Sequence, residues 1–287
     1  MKMFKTFFLA GAAFTLSFAP AFAETLKELS GHTHYHGIAF ARSGSATLLL
    51  ATHHGIFAID RTGTATQVSP VHDYMGFAPH PADPLTYYAS GHPSGGGNSG
   101  FLKSTDGGST WEQHSEGVGG PVDFHQMDVS PADPSVVYGV YRDLQVSRDG
   151  GQTWSIAGTP PAKLVFIAAS GVKPGRIYAA TQNGLHMSGD AGANWHLLEF
   201  DGEVVSMIKG GLDGALLAFV LGRGLVKARE DKPKEWTVLS NGLADAIPLH
   251  FAIDPADSNH FALTTQANDV LESRDGGSTW TTFGKTP

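Results

Sequence analysis

The stretch GHTHYHGIAF at 31–40 sets His32, His34 and His36 at alternate positions ahead of an apolar run ending at Phe40. In an extended segment alternate residues share a face, so the imidazoles form a row. The same two-residue spacing recurs in Asp73-Tyr-Met75 and Asp123-Phe-His125. His34, His36, Met75 and His125 together make a donor set of imidazoles and one thioether. Such a set without cysteine suits copper, Cu(I) in particular, better than magnesium or calcium. Zinc takes histidine readily but methionine rarely. Asp73 and Asp123 would orient the imidazoles as hydrogen-bond partners. His54 and His92 are further donors, and since His53 and His54 are adjacent, one of the two faces inward. Against this stand plain readings: a histidine at a strand start is ordinarily solvated, and a methionine near a core is ordinarily a gap filler. The same Asp73 and Asp123, with Glu203, would also serve a glycosidic cleavage that needs two carboxylates.

These residues matter only if the fold brings them together, and a repeat supplies that. STDGGSTW (104–111), SRDGGQTW (147–154), SGDAGANW (188–195) and SRDGGSTW (273–280) nearly copy one another, and AREDKPKEW is a worn fifth copy ending at Trp236. All 5 tryptophans fall in one repeat position, spaced by 43, 41, 41 and 44 residues. A period of that size, filled with short strands, marks a β-propeller blade. The aspartates read as turn formers that accept backbone N–H bonds, with glycines such as Gly108 and Gly151 supplying positive φ. Each tryptophan then opens a strand and packs between blades.

The motif resembles the Asp-box, or BNR, repeat, and the likeness runs from about residue 34 to the end. It implies an all-β propeller. It is weak for function, since such propellers include sialidases, other glycosidases, sorting receptors and photosystem assembly factors. Sialidases of this kind grip a carboxylate with three arginines at one face. Of the arginines here only Arg142 and Arg223 fall near that face, so sialidase chemistry is disfavoured.

Upstream of the boxes, PADP at 81–84 and 131–134 and PADS at 255–258 fix a register with six blades, a seventh being the alternative closure. Whether residues 24–33 add a strand is open at this level. In that register His36 aligns with Met75, His125, Val165, Val205 and Leu249. Two residues earlier come His34, Asp73, Asp123, Lys163, Glu203 and Ile247. Ends of second strands align His54, His92, Arg142 and Gln182. Strand polarity puts all of these on one face of the ring, the top, and the box turns on the other. The loop ASGHPSGGGNSGF (89–101) overhangs the top of the second blade and could meet a protein partner.

The opening residues 1–23 read as a secretory signal peptide: Lys2 and Lys5, an apolar run, then AFA for cleavage. The run is short and broken by Gly11 and Pro20, which argues against a lasting membrane anchor. The expectation is an exported, periplasmic domain over 24–287. Without Lys2 and Lys5 the chain has 17 basic against 27 acidic residues, a net charge of -10. That disfavours nucleic acid and anionic membranes as partners. With 0 cysteines, thiolate metal sites and disulfides are excluded. The expected protein is a non-enzymatic propeller that binds a copper ion, with a glycoside hydrolase or a non-catalytic scaffold for a periplasmic protein as alternatives.

Overall fold

The computed structural model describes residues 23–45, 47–243 and 246–285; the expected signal peptide lies outside them apart from Ala23. The fold is a six-bladed β-propeller. Each blade is a meander of four antiparallel strands from consecutive residues, and the first carries a fifth, outer strand. That strand, Ala23–Thr25, pairs with Thr64–Gln67 and so thickens the first blade. It leads into a one-turn helix, Leu26–Ser30, begun by a capping box between Thr25 and Glu28. Among the described residues no helix is long and apolar enough to cross a membrane.

The core is divided by seam. Each of six apolar clusters joins two adjacent blades, and five of them take in a box tryptophan. Trp154 shows why. Its ring lies 5.1 Å from Phe101 of the second blade and 4.9 Å from Phe124 of its own. Its indole N–H reaches Ser115 Oγ at 2.8 Å and the Gly151 carbonyl at 3.2 Å, so the polar end is satisfied while the half-buried ring covers two buried phenylalanines.

The box turn beneath it works as the sequence implies. Asp149 Oδ1 accepts from the backbone N–H of Gln152 and Thr153 at 3.0 and 2.9 Å and from the Ser147 hydroxyl at 2.7 Å. The Thr153 hydroxyl and backbone donate to this carboxylate and hold it down at about 2. Gly151 stands at φ 89°, and a Cβ there would strike the Phe101 ring. The aspartates are spent on turns, which leaves chemistry to the other end of the strands.

First strands begin at the top of the ring, and second strands end there. The box turns follow third strands, which run down from the top, so boxes and the HTHYH segment lie at opposite ends.

Candidate metal-binding rim

Three positions per blade face the top. The inner position, early in the first strand, is held in chain order by His36, Met75, His125, Val165, Ser206 and Leu249, counted back from the strand pairings. In four blades this residue is a β-bulge: in the first, Tyr35 pairs with Thr52 and Gly37 with Ala51, leaving His36 unpaired. A bulge turns a side chain away from the regular alternation. The rim position lies two residues earlier, at His34, Asp73, Asp123, Lys163, Val204 and Ile247. The return position ends the second strand, at His53, His92, Arg142, Gln182, Leu221 and Gln266. Rim and return positions are cross-strand partners: Asp73 pairs with His92, and the amides of Gln182, Leu221 and Gln266 bond the carbonyls of Lys163, Val204 and Ile247.

Two details correct the sequence register. The return residue of the first blade is His53, not His54. Thr52 Oγ1 bonds the Gly55 carbonyl and accepts from the His54 amide, so His54 sits in the turn, its ring 5.9 Å from His32. In the fifth blade the strand is shifted by one, so Ser206 and Val204 replace Val205 and Glu203. Glu203 instead holds Arg223 at 2.6 Å.

The upper ends of the first three blades gather the functional side chains into two clusters, each spanning a seam. At the seam of the first and second blades, His36 Nε2 lies 3.1 and 3.2 Å from the two ring nitrogens of His53, and His53 Nδ1 lies 3.0 Å from Asp73 Oδ2. At the next seam, Asp123 Oδ2 meets His125 Nε2 at 2.6 Å and His92 Nε2 at 3.2 Å. The donor atoms of each trio lie within 4.8 Å of one another. The pattern repeats: a return histidine of one blade meets the rim aspartate of the next.

The expected residues thus divide. His36 goes to one cluster and His125 to the other. His34 lies edge-on to His53, ring centroids 5.9 Å apart, and its Nδ1 faces the Asn268 amide at 3.1 Å. Met75 is buried in the blade between, two residues after Asp73. Asp73 and Asp123, read as orienting groups, stand in direct contact with the imidazoles.

The electrostatics favour a cation. Asp123 is 7% exposed, and its Oδ1, like that of Asp73, is buried without a hydrogen-bond partner among the described residues. Leaving a charged oxygen so costs free energy unless something positive meets it. Burial pushes His36 down to about 4; His53 adds to this and Asp73 opposes it. His36 is therefore neutral near pH 7, the form that donates a lone pair to a metal. His92 Nδ1 lies 2.8 Å from the Gly97 carbonyl, a partner that would hold its N–H while Nε2, 3.2 Å from Asp123, meets a metal.

Below the rim, a mostly apolar cavity of about 250 Å³ runs down the ring axis past Phe77, Phe166 and His250. Burial also lowers His250 to about 4. Sequence reading passed over this histidine, which follows the inner position of the sixth blade.

The BNR/Asp-box repeat family matches residues 145–155, the box of the third blade. No curated protein sequence matches the chain. Among solved structures it resembles a GH74 enzyme of Niastella koreensis (TM-score 0.61, 19% identity), over 87% of this chain and 45% of that one. It also resembles the GH74 xyloglucanase of Xanthomonas campestris (TM-score 0.56, 19% identity), over 92% and 47%. YCF48 bound to D1 peptide is similar over 95% of this chain and 89% of its own (TM-score 0.54, 18% identity). The chain thus spans less than half of either GH74 enzyme. At these identities the likeness is one of fold.

Proposed function

We propose that this is an exported, periplasmic metal-binding propeller whose top rim holds copper, serving sequestration, delivery or resistance rather than turnover. The observation that carries the reading is the recurrence, at two neighbouring seams, of two imidazoles around an aspartate whose second oxygen is buried without a partner. Two nitrogens and a carboxylate suit several divalent ions, among which copper(II) binds such donors most tightly. The carboxylates move the expected oxidation state from Cu(I) toward Cu(II). The signal-like residues 1–23 are what supports the exported location.

The test is metal content after dialysis against a mild chelator, with copper(II) and zinc(II) offered separately. Wild-type protein should retain copper in preference to zinc, and the Asp73→Asn/Asp123→Asn double variant should retain neither. Equal copper in both proteins, or none in wild type, would overturn the reading. The fold also accommodates a glycoside hydrolase working through Asp73 and Asp123, or a scaffold for a protein partner. Loss of copper retention would return weight to these.

A further inference from the structure

We infer that the rim holds two ions rather than one, one at each seam, and that the seam of the second and third blades fills first. This rests on the metal-binding reading above. The donors His36 and His125, which a single shared site would need together, belong to different trios, and each trio is compact enough to surround one ion by itself. The two trios use the same pair of blade positions, a return histidine and the next blade's rim aspartate, so each is one copy of a repeated device. Each copy carries its own buried carboxylate oxygen without a partner among the described residues, so the demand for a cation arises twice.

The series ends where the chemistry changes. At the seam of the third and fourth blades the same two positions are Arg142 and Lys163, two cations in place of a ligand pair. At the fourth-to-fifth seam they are Gln182 and Val204. Two ions is therefore the count that the repeat dictates.

The order of filling follows from preorganisation. His92 is already fixed through Gly97, Asp123 has a side chain 8% exposed, and His125 lies 2.6 Å from it. The other trio is looser: Asp73 is 22% exposed at its side chain, and His36 Nε2 faces the two ring nitrogens of His53 about equally, so one ring must turn to present both lone pairs. A fixed outer hydrogen bond of the His92 kind is worth roughly tenfold or more in metal affinity.

Native mass spectrometry of the full chain titrated with copper(II), paired with electron paramagnetic resonance at substoichiometric metal, tests both parts. Two coppers should bind, the second about tenfold more weakly. His92→Ala and His53→Ala should each leave one copper, and the double variant none. His53 and His92 are 40% and 41% exposed at their side chains, so the variants should fold, as circular dichroism would verify. At half an equivalent, His53→Ala should give the wild-type spectrum and His92→Ala a different one. One copper in wild type, abolished by either single variant, would overturn the two-ion inference while sparing the metal reading. No copper in wild type would overturn both. Wild-type spectra from His92→Ala at half an equivalent would reverse the filling order.

Discussion

The first three blades and the last three share one backbone and differ at their upper ends. In the first half the inner, rim and return positions carry His36, His53, Asp73, His92, Asp123 and His125. In the second half the same positions hold Val165, Ser206, Leu249, Val204 and Ile247 among others. The bulge at the inner position accepts His36, Val165, Ser206 or Leu249 alike. The backbone therefore does not require histidine there. A half-ring of imidazoles and carboxylates that the fold can do without is set there for something other than folding.

That comparison breaks if the two halves turn out to be held together differently, and the seams test this first. Trp154→Ala removes the aromatic between the second and third blades and should cost about 3–5 kcal/mol in denaturant unfolding. The equivalent change at the fifth-to-sixth seam, Trp280→Ala, should cost a similar amount, since Trp280 packs against the cluster that joins Phe219 and Leu225 of the fifth blade to Phe251 and Phe261 of its own. A loss under about 1 kcal/mol at either seam would show that the tryptophans are not the common cement.

Acid sharpens the contrast with a smaller effect. His36 and His250 are both held at about 4 in the fold by burial, against about 6.5 in the unfolded chain. Between those values the unfolded chain takes up protons that the native one refuses. Metal-free stability should therefore fall as pH drops from about 6.5 to 4, by on the order of 2 kcal/mol, and level off below. Asp149, Asp190 and Asp275, at about 2, contribute stability above the ordinary carboxylate value that is lost only under stronger acid. Unfolding midpoints across this range, repeated for His36→Val and His250→Phe, should divide the slope between the two halves. A flat profile in wild type would refute the burial argument.

The smallest effect is the most direct test. Giving the first half the residues of the second, His36→Val with His125→Leu, should change metal-free stability by less than about 1 kcal/mol, or raise it. A loss of several kcal/mol would mean that the histidines support the fold after all.

Much of this was legible in the sequence because each box is local: aspartate, glycine and tryptophan carry their own hydrogen bonds, so turn, strand and seam follow from a few adjacent residues. The rim was legible as far as strand counting reached, which brought His36, His125, Asp73 and Asp123 to one face. Pairing His53 instead of His54 required the turn. Thr52-His-His-Gly55 and Thr181-Gln-Asn-Gly184 make the same threonine-capped turn, with Thr181 Oγ1 on the Gly184 carbonyl at 2.8 Å. Aligning those two segments would have set His53 beside Gln182. The division into two trios was not legible, because it depends on which neighbour each side chain meets across a seam.

Among the described residues the chain crosses five seams and not the sixth. Where the last blade returns to the first, the cluster of Phe283, Val270 and Ala262 against Leu29, Tyr35 and Phe40 contains no tryptophan among the described residues. Asn268 fastens the rim there, its amide donating to the Thr33 carbonyl at 3.1 Å. Lower down, His260 lies between Asp254 and Glu272 at 2.9 and 3.3 Å, its ring 4.5 Å from Phe40. That seam is thus closed by side chains alone, an apolar cluster and these polar contacts. A seam held without a covalent crossing should be the first to part, and amide exchange should be fastest in the strands lining it. The blade that bears His36 and His53 lines that seam, so its trio would feel such an opening before its neighbour, which lies one blade farther on.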